Sequence, residues 1–489
     1  MLTAGPQAPA RPGAPAGPGA LPEAGPAAGT VRELCQLLDD RIAAGMARYA
    51  IPGVAVGVWY RGHQHLRGFG VADARRGAPV EPDTVFRVGS TTKTFTGTVI
   101  MRLAAAGRLD LDAEVRRCLP GFRPPPGAET VTVRQLLNHT AGWLGDDFHD
   151  TGRGWDALPR YLARLRTLPQ LTAPGTVFAY NNAAFAVAGK LIEQVSGQSY
   201  ERAVRDLLLR PLGLRQSFLF ADEIIGQHIA APHVPVRGKP VLLPGLWRVP
   251  RSINAAGGLM SSAADQLRWA RFHLGDGRAP DGTPVLPHAA LAAMRTGAGP
   301  GGTLVTELTG MGVSWMLRPT AQGALVLQHG GHWPGQVSGL LLVPGHDFAL
   351  TLLTNSESGN LLVNELFADD WALRMFTGLA NLPAAECRLS PAELAPYLGS
   401  YTLQQVDAAG RLVDQPAATV TARDGGLQLS AGPAPVLLLT FYDSPAGPGH
   451  FLVKDAGGTP TGLRGDFIRD AGGRVRWLRL SGRLHRHQR

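Results

Sequence analysis

Phe86-Arg87-Val88-Gly89-Ser90-Thr91-Thr92-Lys93 leads from a strand-like apolar segment straight into an apolar helix, and its last four residues form an S-x-x-K tetrad. The i to i+3 spacing on a helix puts hydroxyl and ammonium on one face, where they can share a proton. A serine hydroxyl is a weak nucleophile until a nearby base takes its proton, so Lys93 must be neutral for part of the time. Burial and a helix N-terminus both disfavour its charged form and push its pKa down. The tetrad alone is a short pattern that many proteins contain as a solvent-facing Ser and Lys. Its setting is more telling. It occurs once in the chain, and the following stretch 94–106 places Phe95, Val99, Leu103 and Ala106 on one helical face before Gly107 stops the helix.

Working outward, Tyr180-Asn181-Asn182 is the only Y-x-N in the sequence and opens another helix-like run. A lone tyrosine most often packs at a helix start. Here it could also serve as acid and base, with positive neighbours such as Lys93 favouring its phenolate. His329-Gly330-Gly331 follows the strand-like run 324–328, where small residues let a substrate lie against the backbone. His273-Leu274-Gly275 also matches H-x-G, but it ends an amphipathic helix, where histidine and glycine are usual terminators.

At 489 residues, 44% hydrophobic and 17% charged, the chain is globular and long enough for two folded units. Its net charge of +9 is spread along the sequence, which argues against nucleic-acid binding. The densest basic run, 483–489, reads as a frayed tail. Three distant cysteines with no C-x-x-C indicate neither a disulfide framework nor a zinc knuckle. The pairs His63/His65 and His485/His487 lack carboxylate or cysteine support and read as surface residues. No basic n-region or apolar h-region opens the chain and no stretch approaches a membrane span, so it reads as cytoplasmic.

Residues 1–29, nearly all Ala, Pro and Gly from position 3, have no side chains for a core and should be disordered. A Thr30/Glu33 capping box opens the first helix. The runs 53–59 and 66–71, joined at Arg61-Gly62, form a hairpin expected in the centre of a sheet. Helical patterns recur at 133–137, 182–195, 200–209 and 263–274, and strand patterns at 324–328, 336–342 and 348–355. From about 389 the texture changes to short strands, at 397–403, 418–429, 436–442, 451–454 and 475–480, which marks a β-rich module at 389–489 behind a catalytic unit at 30–385.

The chain resembles the serine β-lactamase and penicillin-binding protein superfamily, in its class C-like branch. The resemblance covers roughly residues 31–380. It rests on Pro52-Gly53-Val54-Ala55-Val56, on the segment 86–93, on Leu136-Leu137-Asn138-His139-Thr140-Ala141-Gly142, on Tyr180-Asn181-Asn182, on Ala256-Gly257-Gly258-Leu259 and on His329-Gly330-Gly331. It implies an α/β (α+β) fold of β-lactamase/transpeptidase type: an antiparallel sheet flanked by helices, with an all-helical subdomain. The C-terminal module resembles a lipocalin-like barrel.

The resemblance further implies Ser90 as nucleophile, Lys93 as its proton partner and Tyr180 as general base and acid. Asn182, His329 and Gly331 would bind substrate, and the backbone N–H groups of Ser90 and His332 would form an oxyanion hole. Neither metal nor cofactor is implied. His332 and Trp333 are bulky where small residues are frequent, and Ala141 replaces a serine.

No G-x-S-x-G elbow or H-E-x-x-H is present, which disfavours α/β-hydrolases and zinc peptidases. The expected activity is acyl-enzyme hydrolysis of small esters, amides or D-amino-acid peptides. β-Lactamase or D-alanyl-D-alanine carboxypeptidase activity is the alternative, and a penicillin-binding sensor or non-catalytic scaffold is the alternative of another class. The expected partner is a small-molecule substrate, and self-association as a homo-oligomer is left open.

Overall fold

The computed structural model describes residues 28–244, 249–407, 409–432 and 434–488; the segment 1–29, expected to be disordered, lies outside the described residues as far as residue 27. Strands of alternating side-chain direction build a seven-stranded sheet in the order His63–Gly70, Gly53–Tyr60, Phe348–Thr354, Gln336–Val343, Val326–Trp333, Met316–Arg318, Gly310–Met311, with every neighbouring pair antiparallel. Helices cover both faces, so the inner strands read as continuous apolar runs. Val54, Val56 and Val58 face a core with the first helix, Ala28–Tyr49, and with Trp371–Thr377. Ala55, Leu342 and Ala349 face the larger core, which holds Trp269 of the helix Ala263–Leu274.

Two local expectations change. The hairpin is not central, because its second strand, His63–Gly70, is the outermost of the sheet, where His63, Gln64 and Arg67 can meet water. Thr30 lies inside the first helix, which already starts at Ala28, so it does not cap it.

The helix that follows Ser90, Thr92–Ala105, is buried on every side from Thr92 to Met101 instead of along one stripe. Its threonines make that tolerable by returning their hydroxyls to main-chain carbonyls: Thr94 to Thr91 at 2.8 Å, Thr98 to Thr94 at 2.7 Å and Thr96 to Ala255 at 2.7 Å. Phe95 stacks on Trp269 with ring centroids 3.9 Å apart.

Beyond this sheet and its helices the chain closes an eight-stranded barrel: Gly399–Thr402, Ala418–Arg423, Gly426–Ser430, Leu437–Phe441, His450–Lys454, Pro460–Arg469, Val475–Leu480 and Arg483–Gln488. Tyr401, Val420, Leu439, Phe451, Phe467 and Leu478 fill it. The run 418–429 is two strands, reversed at Asp424-Gly425, both of positive φ. The basic run read as a frayed tail is the strand Arg483–Gln488, which seals the barrel against Gly399–Thr402 and stacks His487 on Tyr401. Its buried Leu484 shows the alternation that the flanking charges conceal. No helix among the described residues is long and apolar enough to cross a membrane.

Candidate active site

Ser90 sits in one 3-10 turn, Gly89–Thr91, that precedes the helix Thr92–Ala105. The turn needs Gly89 at φ +49°, and a Cβ there would stand 2.8 Å from the main-chain N of His332. Across the gap, a Cβ on Gly331 would collide with Val88 O and lie 2.8 Å from Ser90 N. The two glycines therefore bring the main-chain nitrogens of Ser90 and His332, the expected oxyanion hole, to one spot. The strand Val326–Trp333 continues past Gln328, where the sequence suggested an end, and carries His329 through Trp333 along the site. Ser338 donates to Val88 O at 2.9 Å, and Gln336 Oε1 accepts the Arg87 N–H at 2.6 Å, so the neighbouring strand holds this approach.

Lys93 is fully buried. Its Nζ donates to Asn182 Oδ1 at 2.6 Å and to Ala256 O at 2.7 Å, and stands 3.0 Å from Ser90 Oγ. The first two partners can only accept. A neutral amine has two N–H bonds and one lone pair, so two acceptors use both hydrogens and leave the lone pair for the Ser90 hydroxyl. Burial first, and the charge of Arg483 second, hold the Lys93 pKa well below the usual lysine range, against the opposing pull of Asp146.

Tyr180 is hydrogen-bonded to Ser90, and burial pushes its pKa up to about 12 despite that bond and the nearby Arg483. The expectation that positive neighbours favour its phenolate is thereby corrected: desolvation outweighs them, and Tyr180 is a phenol at neutral pH.

Asn182 stands at the N-cap position of the helix Ala183–Ser196. While its oxygen accepts from Lys93, its Nδ2 donates to Asp146 Oδ1 at 2.6 Å. Asp146 in turn accepts from Arg483 Nε at 3.0 Å, and the guanidinium lies 4.8 Å over the Tyr180 ring. Asp146 and Arg483 were not found by sequence reasoning, since nothing local to either marks a pairing across 337 positions. The barrel that supplies Arg483 is tied to the same segment. The Tyr180 N–H donates to Gly482 O at 2.8 Å, and Arg479, in a buried ion pair with Asp466 at 2.7 Å, donates to Phe178 O at 2.6 Å.

His329 lines the cleft, but burial and then Lys93 push its pKa down to about 3. Its Nδ1–H donates to Gly330 O at 2.7 Å, so its buried Nε2 is an acceptor with no partner among the described residues. The position thus offers a lone pair and no positive charge. The side chain of His332 points outward to Glu357 at 2.6 Å. The cleft, about 380 Å³, continues from Ser90 past Gly330 and Gly331 to an apolar end at Met316, Val363 and Phe367, with Phe148 at its edge.

An antiparallel sheet, a central buried helix and a serine shared between lysine and tyrosine define an active-site serine hydrolase of the penicillin-recognising type. The family described as Beta-lactamase matches residues 38–372, and the chain belongs to it. Penicillin-binding protein 4 of Amycolatopsis lactamdurans is 36% identical over 366 residues, which cover 74% of this chain and 96% of that protein. Esterase EstB of Burkholderia gladioli is 36% identical over 195 residues, covering 36% of this chain and 48% of the esterase. The crystal structure of SurE matches with a TM-score of 0.73 and 27% identity over 94% of this chain and 100% of that one. SurE has also been solved with D-Leu, at a TM-score of 0.70 and 27% identity over the same shares.

Proposed function

We propose that this chain hydrolyses esters, amides or peptides carrying a D-configured residue through an acyl-enzyme on Ser90. The observation that carries the reading is the contact of Ser90 Oγ with Lys93 Nζ at 3.0 Å, where burial of the amine favours its neutral, proton-accepting form.

Ser90 Oγ attacks the substrate carbonyl carbon as its proton passes to Lys93 Nζ. The main-chain N–H groups of Ser90 and His332 receive the oxyanion, an effect of about 10²–10³ in rate per donor. Collapse expels the leaving group, which takes a proton from the Tyr180 phenol, and the Lys93 ammonium restores that proton. Water then attacks the acyl carbon, giving its proton to Lys93, and Ser90 departs with it.

The uncharged His329 presents a lone pair to the cleft, which favours a substrate N–H over a carboxylate at that position. The D-Leu bound to SurE supports a D-configured residue, and the likeness to EstB supports esters. The likeness to penicillin-binding protein 4 favours, as a second reading, slow β-lactam acylation or carboxypeptidase activity.

Steady-state turnover of a p-nitrophenyl ester, a D-alanyl p-nitroanilide and nitrocefin, followed together with intact mass, tests this. Ester or D-amide turnover with only stoichiometric or slow reaction of nitrocefin is expected. Fast nitrocefin turnover would make the β-lactamase reading the right one, and an intact mass unchanged by all three would refute the acyl-enzyme.

A further inference from the structure

We propose that His139 is a positioning residue for acylation: as a neutral imidazole it clamps the segment that presents Tyr180 and Asn182 to Ser90. The inference rests on the acyl-enzyme reading above and concerns a residue that the mechanism there does not use.

His139 adopts φ +60°, the left-handed conformation that few side-chain-bearing residues accept. That conformation lets its carbonyl and its ring grip one segment together. Ala179 N–H donates to His139 O at 3.0 Å, and Asn181 N–H donates to His139 Nδ1 at 2.9 Å. These two bonds bracket Tyr180, whose ring stacks on the imidazole with centroids 4.3 Å apart and planes 23° apart. Phe178 and Phe185 enclose the imidazole. The remaining main-chain donors are also held, Tyr180 N–H by Gly482 O and Asn182 N–H by Gly145 O at 3.1 Å. The segment bearing the phenol and the lysine's acceptor is thus fixed at every residue from 179 to 182, and His139 makes two of the four attachments.

The clamp demands one protonation state. Because Nδ1 accepts from Asn181, its lone pair must be free and the ring proton sits on Nε2, which is buried without a partner among the described residues. An imidazolium would put a hydrogen on Nδ1 and break the bond. Lys93 from the helix Thr92–Ala105, His329 from the strand Val326–Trp333, Arg483 from the barrel and the stacked phenol of Tyr180 are charged or titratable groups that face the ring. Together with burial, which is the largest influence, the first three hold it neutral, and the Asn181 N–H, which needs the Nδ1 lone pair, favours the same state.

The test uses the full-length protein and the rate of Ser90 labelling by a serine-directed phosphonate, beside kcat and KM on the p-nitrophenyl ester. His139→Gly accepts the positive φ but loses acceptor and ring. His139→Asn accepts the same φ and offers an amide oxygen near the place of Nδ1. The expected loss in labelling and kcat is about 100-fold for the glycine variant, the usual effect of a misplaced reacting group, and smaller for asparagine, with KM little changed.

Added imidazole should rescue His139→Gly only above the imidazole pKa, where it is neutral and can accept from Asn181. Toluene, which only fills space, should not rescue it. Wild-type rates in both variants, or equal rescue by toluene, would overturn the proposal. Should His139→Gly not fold, His139→Asn decides: a kcat loss at unchanged KM supports the clamp, and a wild-type kcat overturns it. If Ser90→Ala still labels, the acyl-enzyme reading itself fails. If that control behaves and both His139 variants label like wild type, only this inference fails.

Discussion

Lys93, itself buried, meets two acceptors and a hydroxyl, so its lone pair is available only while its proton is absent. Its pKa is depressed in the folded protein, and kcat/KM should therefore rise with pH through that depressed value and then stay level. Tyr180, pushed up to about 12, keeps its proton across the neutral range and imposes no upper limb there. Asp146 raises the Lys93 pKa and Arg483 lowers it. Asp146→Asn should thus move the acid limb to lower pH and Arg483→Gln to higher pH. A pH–rate profile of each variant checks this, and limbs that move the opposite way would show that Lys93 is not the base.

A second expectation at this scale concerns Gly331. Its substitution by alanine drives a methyl into Val88 O and against Ser90 N, so phosphonate labelling of Ser90 should fall at least about 100-fold, the scale of one lost oxyanion donor, with the fold retained by circular dichroism. Ser90, Lys93, Tyr180 and Asn182 could be picked out because their chemistry is carried by spacings of two or three residues. The charge state of Tyr180 could not, because desolvation depends on what packs around the ring. Asp146 and Arg483 escaped notice for the same reason, their pairing being purely tertiary.

Among the elements, the buried pair Asp466–Arg479 joins adjacent barrel strands and reaches outward to Phe178 O, while Asp466 also accepts from the Thr303 hydroxyl at 2.5 Å. Arg479→Ala would leave a buried carboxylate without its counter-charge, a loss of about 3–5 kcal/mol where such pairs are broken on one side. Urea unfolding should register it, and a loss below about 1 kcal/mol, the range of exposed pairs, would mean that water reaches Asp466.

Long periodic elements were readable. The helix Ala263–Leu274 coincides with its sequence pattern, and the strands Gln336–Val343 and Phe348–Thr354 fall within a residue of theirs. Two barrel strands that were missed have a common cause. Pro460–Arg469 contains two glycines and two arginines, and Arg483–Gln488 has Leu484 as its one aliphatic residue, so an apolar alternation exists only on the barrel's inner side. Rank within a sheet was likewise out of reach for the hairpin Gly53–Gly70, since edge or centre depends on which distant strand pairs with it.

For the molecule as a whole, the β-rich module packs directly against the candidate active site. Gly482 O holds the Tyr180 N–H, Arg479 holds Phe178, and Arg483 completes the line from Lys93 through Asn182 and Asp146. A chain ending at residue 388 should therefore label Ser90 at least about 100-fold more slowly, since Tyr180 loses its alignment. Labelling at the full-length rate would show that the barrel only shapes the cleft.

The strand that brings Arg483 to the cleft also fixes when the site becomes complete during biosynthesis. Chains grow at about 5–20 residues per second and fold from the N-terminal side, so the barrel residues emerge over roughly 5–20 s after the sheet and its serine are already outside the ribosome. Until the closing strand pairs with Gly399–Thr402, the nascent hydrolase carries its nucleophile without the guanidinium that balances Asp146. Full acylation competence is thereby expected to trail the folding of the sheet, and a chain cut short before that strand should fold its sheet yet label Ser90 slowly.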